Sequence, residues 1–211
     1  MFGTLRRQAR ELAPLLAALY VPATALLLLT VIASYVKRVS FGFFTSDPTM
    51  VLGISPFTGA ISNLGVLGWC ATATLCLFTW AVTRHRTGGG VGDAFLLIPG
   101  LLTASLMADD LFQIHEVLLP LYVGGPDDLL IIPYALIGLG WLVAFRRRIL
   151  GTEYLLFLIA VVGFTVSVVV DALTEAPYST RYLFEDGFKF LGIVGWLGYM
   201  GRVCFRELAG R

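Results

Sequence analysis

The chain has 211 residues, of which 57% are hydrophobic and 14% charged, and its mean hydropathy is +0.83. A soluble domain carries about a quarter charged residues, so this composition excludes a water-soluble globular fold and makes lipid the solvent. The net charge of +1 offers no basic surplus for a nucleic-acid partner; the partner it demands is the bilayer.

A spanning helix needs about 20 mostly apolar residues, and six stretches meet that need. The sequence therefore predicts an all-α, polytopic integral membrane protein, a six-transmembrane-helix bundle forming one domain over residues 1–211. The first element is Pro14–Tyr35. Its apolar run exceeds the roughly 7–15 residues of a signal-peptide core and no A-x-A site follows, which reads as a retained anchor. The link over 36–59 contains "FGFF" and "SDPT"; a connection this long suits a lid, read here as an interfacial helix with Ser46 or Asp47 as its cap. The second element, Ala60–Thr83, holds Cys70 and Cys76 on different faces. With Cys204 they read as small buried hydrophobes rather than disulfide partners. "HRTGGGVGD" lacks the GK[ST] of a phosphate loop and is a connection.

The third element, Asp93–Leu119, starts at an N-cap aspartate, is kinked at Pro99–Gly100, and ends in "MADDLFQIHE". Leu129–Phe145, Thr152–Leu173 and Tyr182–Val203 complete the six. Gly192, Gly195, Gly198 and Gly201 recur every third residue of the last and predict dense helix packing.

Orientation follows the Lys/Arg bias of the connections. With both termini cytoplasmic, the inner segments hold Arg6, Arg7, Arg10, Arg84, Arg86, Arg146, Arg147, Arg148, Arg202, Arg206 and Arg211, eleven of fifteen basic residues. Ten of fourteen acids fall in the outer half. The chain is thus expected to be multi-pass in a bacterial or archaeal plasma membrane.

That acid surplus has structure. At 1.5 Å per residue, Asp109 lies about 24 Å above Asp93, inside the outer third of the hydrocarbon. Helical spacing puts Ser105, Asp109, Gln113 and Glu116 on one stripe, turns Asp110 about 100° away and points His115 nearly opposite. The fifth element repeats the pattern with Ser167, Asp171 and Glu175, and the sixth starts with Glu185, Asp186 and Lys189. A charge within the hydrocarbon needs a partner, so these clusters are expected to meet in one outward-facing acidic cavity, with Lys189 paired to Asp109 or Asp171.

Three functions fit. The first is binding of a cation or protons for transport or permeation, with Asp109, Asp110, His115, Glu116, Asp171 and Glu175 as ligands or carriers. Oxygen-rich ligands favour Ca²⁺, Mg²⁺ or Mn²⁺, with Zn²⁺ open if His115 joins. The second is a metal-dependent hydrolase acting on a lipid-like substrate, with His115 or Glu116 as general base. The third is a non-catalytic accessory subunit, held in a homo-oligomer or a membrane complex.

Overall fold

The computed structural model describes residues 2–40, 42–46, 48–88, 94–124, 130–173 and 178–210. Its regular elements are helical, and no strand occurs among the described residues. Among the described residues, four helical segments are long and apolar enough to cross a membrane: Leu12–Lys37, Ala60–Arg86, Ala94–Phe112 and Tyr154–Asp171. That agrees with a membrane location.

The chain divides into two compact units, residues 1–58 and 59–211. The first holds the long helix α1 (Phe2–Lys37) and two short helices, α2 (Gly42–Thr45) and α3 (Pro48–Leu52). Leu19, Leu26, Leu28 and Ile32 of α1 are all exposed, a surface suited to hydrocarbon rather than water. Asp47, one of the two proposed caps, lies outside the described residues, as does the N-cap Asp93.

The second unit contains α4 (Ala60–Thr87), α5 (Ala94–Phe112), a π-helical turn (Ile114–Leu118), α6 (Leu119–Tyr122), α7 (Ile131–Leu150), α8 (Tyr154–Leu173) and α9 (Tyr178–Ala209). α9 packs against both α8 and α4, α4 against α5, and α5 against α7. The expected third element, Asp93–Leu119, is therefore not one helix: it breaks at Gln113, whose φ of 50° is left-handed. Three arginines follow the apolar part of α7 and Lys189 lies within α9. Both helices extend beyond their apolar stretches, to Leu150 and from Tyr178 to Ala209.

Small residues set the helix spacing. A Cβ added to Gly163 of α8 would lie 2.8 Å from the Gly192 backbone of α9, and one on Gly195 would lie 3.1 Å from the Ala160 backbone. Of the four repeating glycines, these two make the close α8–α9 approach, whereas Gly201 faces open space. Beneath the crossing lies an aromatic core. Trp141 meets Trp196 edge to face at 5.9 Å, its indole N–H donates to the Phe95 carbonyl at 2.9 Å, and Trp196 donates to Thr103 Oγ1 at 3.0 Å. Buried indoles with a satisfied N–H fix side-chain positions as well as adding apolar area. Cys76 and Cys204 are both buried here and both reduced, whereas Cys70, expected to be buried as well, is exposed.

Candidate functional site

At the end of the second unit where α5 breaks, a cavity of about 480 Å³ opens between α4, α5, the π turn, α7, α8 and α9. Its polar lining comes from Asp109 and Asp110 of α5, His115 and Glu116 of the π turn, Ser167 and Asp171 of α8, and Glu185 and Lys189 of α9. Ser105 does not line it; its hydroxyl donates back to the Leu101 carbonyl at 3.1 Å. Gln113 supplies the break itself. Asp186 instead lines a separate small pocket with Ser62 and Gly65 of α4, together with Asp110 and Lys189. Glu175 lies outside the described residues.

The break explains His115. On a regular helix it would point away from Asp109, as the spacing predicts. Left-handed Gln113 and the π turn instead fold it back onto the acid. The His115 backbone N–H donates to Asp109 Oδ1 at 2.9 Å, and ring Nδ1 lies 2.7 Å from Oδ2. One carboxylate thus holds both the chain and the ring. Asp109 is only 3% exposed, so its pairing with His115 offsets what burial of a lone carboxylate would cost. A carboxylate on Nδ1 favours the tautomer with its proton there, which in the neutral ring leaves the lone pair on Nε2. It lies 3.6 Å from Glu116 Oε1, too far for a hydrogen bond.

Lys189 also pairs differently from the expectation. Its Nζ lies 2.7 Å from Asp110 Oδ1, not on Asp109 or Asp171. The roughly 100° between consecutive helix residues turns Asp110 toward α4 and α9 while Asp109 faces the π turn. The other Asp110 oxygen accepts the Trp69 indole N–H at 2.8 Å. Trp69 was not singled out from sequence, nor was Tyr134 of α7, which also lines the cavity. A tryptophan among small residues in "LGVLGWCATAT" was a usable signal, because a buried indole N–H needs an acceptor.

The acids are therefore committed in pairs: Asp109 to His115, and Asp110 to Lys189 and Trp69. Among the described residues, no three His, Cys, Asp or Glu side chains stand close enough together to hold one metal ion.

At the opposite end of α8 and α9, charge is arranged differently. Arg202 donates twice to Glu153, at 2.6 and 2.7 Å, and Arg206 donates to the same carboxylate at 2.7 Å. The Arg202 hydrogen bond, with the charges of Arg202 and Arg206, holds the Glu153 carboxyl below its ordinary pKa.

Fold and site together define an all-helical protein of membrane-spanning character with a polar cavity at one end. The chain belongs to the family described as "Domain of unknown function (DUF8692)", which matches residues 15–203. No curated protein and no solved structure matches it.

Proposed function

We propose that the chain is a six-span protein of the plasma membrane with both termini cytoplasmic, and that its cavity faces outward and takes up protons for transport. The observation that carries this reading is His115, clamped by Asp109 through both its ring and its backbone. Histidine is the side chain whose ordinary pKa sits near neutrality, and a carboxylate on Nδ1 fixes the tautomer and orients the free nitrogen. His115 lines the cavity with Glu116, Asp171 and Glu185, which supply alternative proton positions. Protons suit this lining better than a divalent metal does, because metal sites need several converging ligands and here the best-placed acids are already paired. The six spans rest on α7 and α9 joining the four apolar segments, and the orientation rests on the clustered arginines.

The test is proton flux in proteoliposomes carrying a trapped pH dye. A potassium gradient with valinomycin would drive the wild type, His115→Gln and Asp109→Asn. Flux in the wild type that falls to the protein-free baseline in both variants, with helicity and elution volume kept, is the expected result. Equal flux in all three would overturn the reading.

One observation favours a second reading. A proton path needs only a file of waters, whereas about 480 Å³ is within the usual range for a small-molecule site, roughly 300–1,000 Å³. An enzyme using His115 as general base on a substrate at the membrane surface would use the same Asp109–His115 pair. Product formed from added lipid, lost in His115→Gln and present without any ion gradient, would select it over transport.

A further inference from the structure

The cavity end leaves unused the strongest concentration of positive charge in the second unit, at the other end of the same helices. α7 closes with Arg146, Arg147 and Arg148, and Gly151 and Thr152 turn the chain into α8. A separate cleft of about 610 Å³ lies between this turn and the end of α9, lined by Arg147, Arg148, Arg202 and Arg206.

Three of the four guanidiniums are pinned. Arg202 and Arg206 share Glu153. Arg148 donates to Glu207 at 2.6 Å and lies over the Phe95 ring with its Cζ 4.2 Å from the centroid. The turn is itself tied to α9, with Thr152 Oγ1 3.1 Å from the Tyr199 hydroxyl. Such anchoring removes most of the entropy that long cationic side chains lose on binding. It also leaves the charge unbalanced. Among the described residues four guanidiniums meet the carboxylates of Glu153 and Glu207, and Arg147 has no carboxylate partner. The C-terminal dipole of α7 accounts for a cation or two in its last turn, but not for a cleft that converges Arg202 and Arg206 from a second helix.

We infer that this cleft binds a phosphate group, carried by an anionic phospholipid. Guanidiniums match phosphate oxygens through paired N–H donors. Basic pockets between membrane helices are a known setting for acidic headgroups. The lipid source follows from the rim, where Phe205 of the cleft is 61% exposed and Leu150, the residue before Gly151 of the lining, is 64% exposed. Aromatic and aliphatic surface at the edge of a guanidinium cluster fits a headgroup with acyl chains and offers nothing to a free ion. Glu207, also in the lining, is paired with Arg148 at 2.6 Å. The inference draws on the membrane location of the chain and not on the proton reading, so either can fail alone.

The experiment is native mass spectrometry of the full chain released from detergent, with equimolar phosphatidylglycerol and phosphatidylcholine. Thermal midpoints would be read in the same mixtures and with inorganic phosphate alone. Arg147→Gln is the informative variant, because no carboxylate loses a partner and the lipid-free midpoint should not move. Losing one charge-assisted contact should lower phosphatidylglycerol retention about tenfold. Arg147→Lys, which keeps the charge but not the fork, should fall between the two. Arg86→Gln on α4, which removes the same charge outside the cleft, should retain lipid like the wild type. Equal losses in Arg147→Gln and Arg86→Gln would overturn the site, leaving only a basic surface. Stabilisation by inorganic phosphate that displaces phosphatidylglycerol would keep the phosphate chemistry and overturn the lipid source.

Discussion

At the cavity end the ion pair is shielded: the side chains of Lys189 and Asp110 are 34% and 13% exposed, and Trp69 closes the remaining carboxylate oxygen. At the arginine end the bidentate pair is open, with Arg202 and Glu153 at 52% and 40%. The distances are nearly equal, 2.7 and 2.6 Å, so geometry does not separate the two. Surroundings do. Removing one partner of a shielded pair strands the other charge, whereas an exposed pair is traded against water and salt. The cavity end is therefore where a substitution unfolds the protein or changes its chemistry. The arginine end should tolerate the loss of one partner at smaller cost, because water and salt replace it.

The largest effect should come from Lys189→Met. It leaves Asp110 with only the Trp69 donor, and should lower stability by about 2–4 kcal/mol, somewhat under the full penalty for a stranded buried charge because a third of the lysine is exposed. Adding Asp110→Asn should recover more than half of that loss, since an amide oxygen still accepts from Trp69. Thermal melts in detergent check both. No recovery in the double variant would mean that the lysine acts through packing of its stem rather than through its charge.

A smaller effect, of opposite sign, is expected at the break in α5. Gln113 holds a left-handed conformation, φ 50° and ψ 47°, that costs a residue with a Cβ about 1 kcal/mol or more. Gln113→Gly relieves it and should raise stability by about 0.5–1 kcal/mol. If the cavity is the proton site, flux should fall at the same time, because glycine holds His115 less firmly against Asp109. A melt that drops instead would show that the Gln113 side chain has its own structural task. The arginine end stores no such strain: Gly151 sits at φ −82°, which any residue adopts.

The helices were readable from sequence because a run of apolar residues about as long as the bilayer is thick has few other uses. Asp109 and Asp110 were readable as unusual for the same reason. Their partners were not. Whether His115 faces Asp109 depends on one backbone torsion at Gln113, and a glutamine carries no left-handed signal of the kind a glycine gives. Whether Lys189 meets Asp109 or Asp110 depends on how α5 is rotated against α4 and α9. That rotation is set by close contacts at Gly100, where an added Cβ would lie 2.8 Å from Leu77, and at Gly68, where it would lie 2.7 Å from Ile193. Spacing along one helix cannot contain that information. Apolar runs also understate helices whose ends are charged, which is why α7 and α9 reach past the stretches that announced them.

The smallest effect sharpens the comparison most, because it tests screening directly. Glu153 is held below its ordinary carboxylate pKa by the Arg202 hydrogen bond and the charges of Arg202 and Arg206. A depressed folded-state pKa gives stability that is fully present above the ordinary value of 4.5 and is lost as pH falls through the lower folded value. The midpoint difference between wild type and Glu153→Gln should therefore be constant from pH 8 to about 5 and shrink below that. Because the pair stands open to solvent, the difference should also shrink in about 1 M salt, where the Debye length is near 3 Å. The Lys189→Met difference, taken over the same salt series, should hardly change, since shielded charges are screened far less. Equal salt sensitivity at the two ends would mean that water reaches Lys189 and Asp110 as freely as it reaches Glu153. The shielding that separates the ends would then be absent.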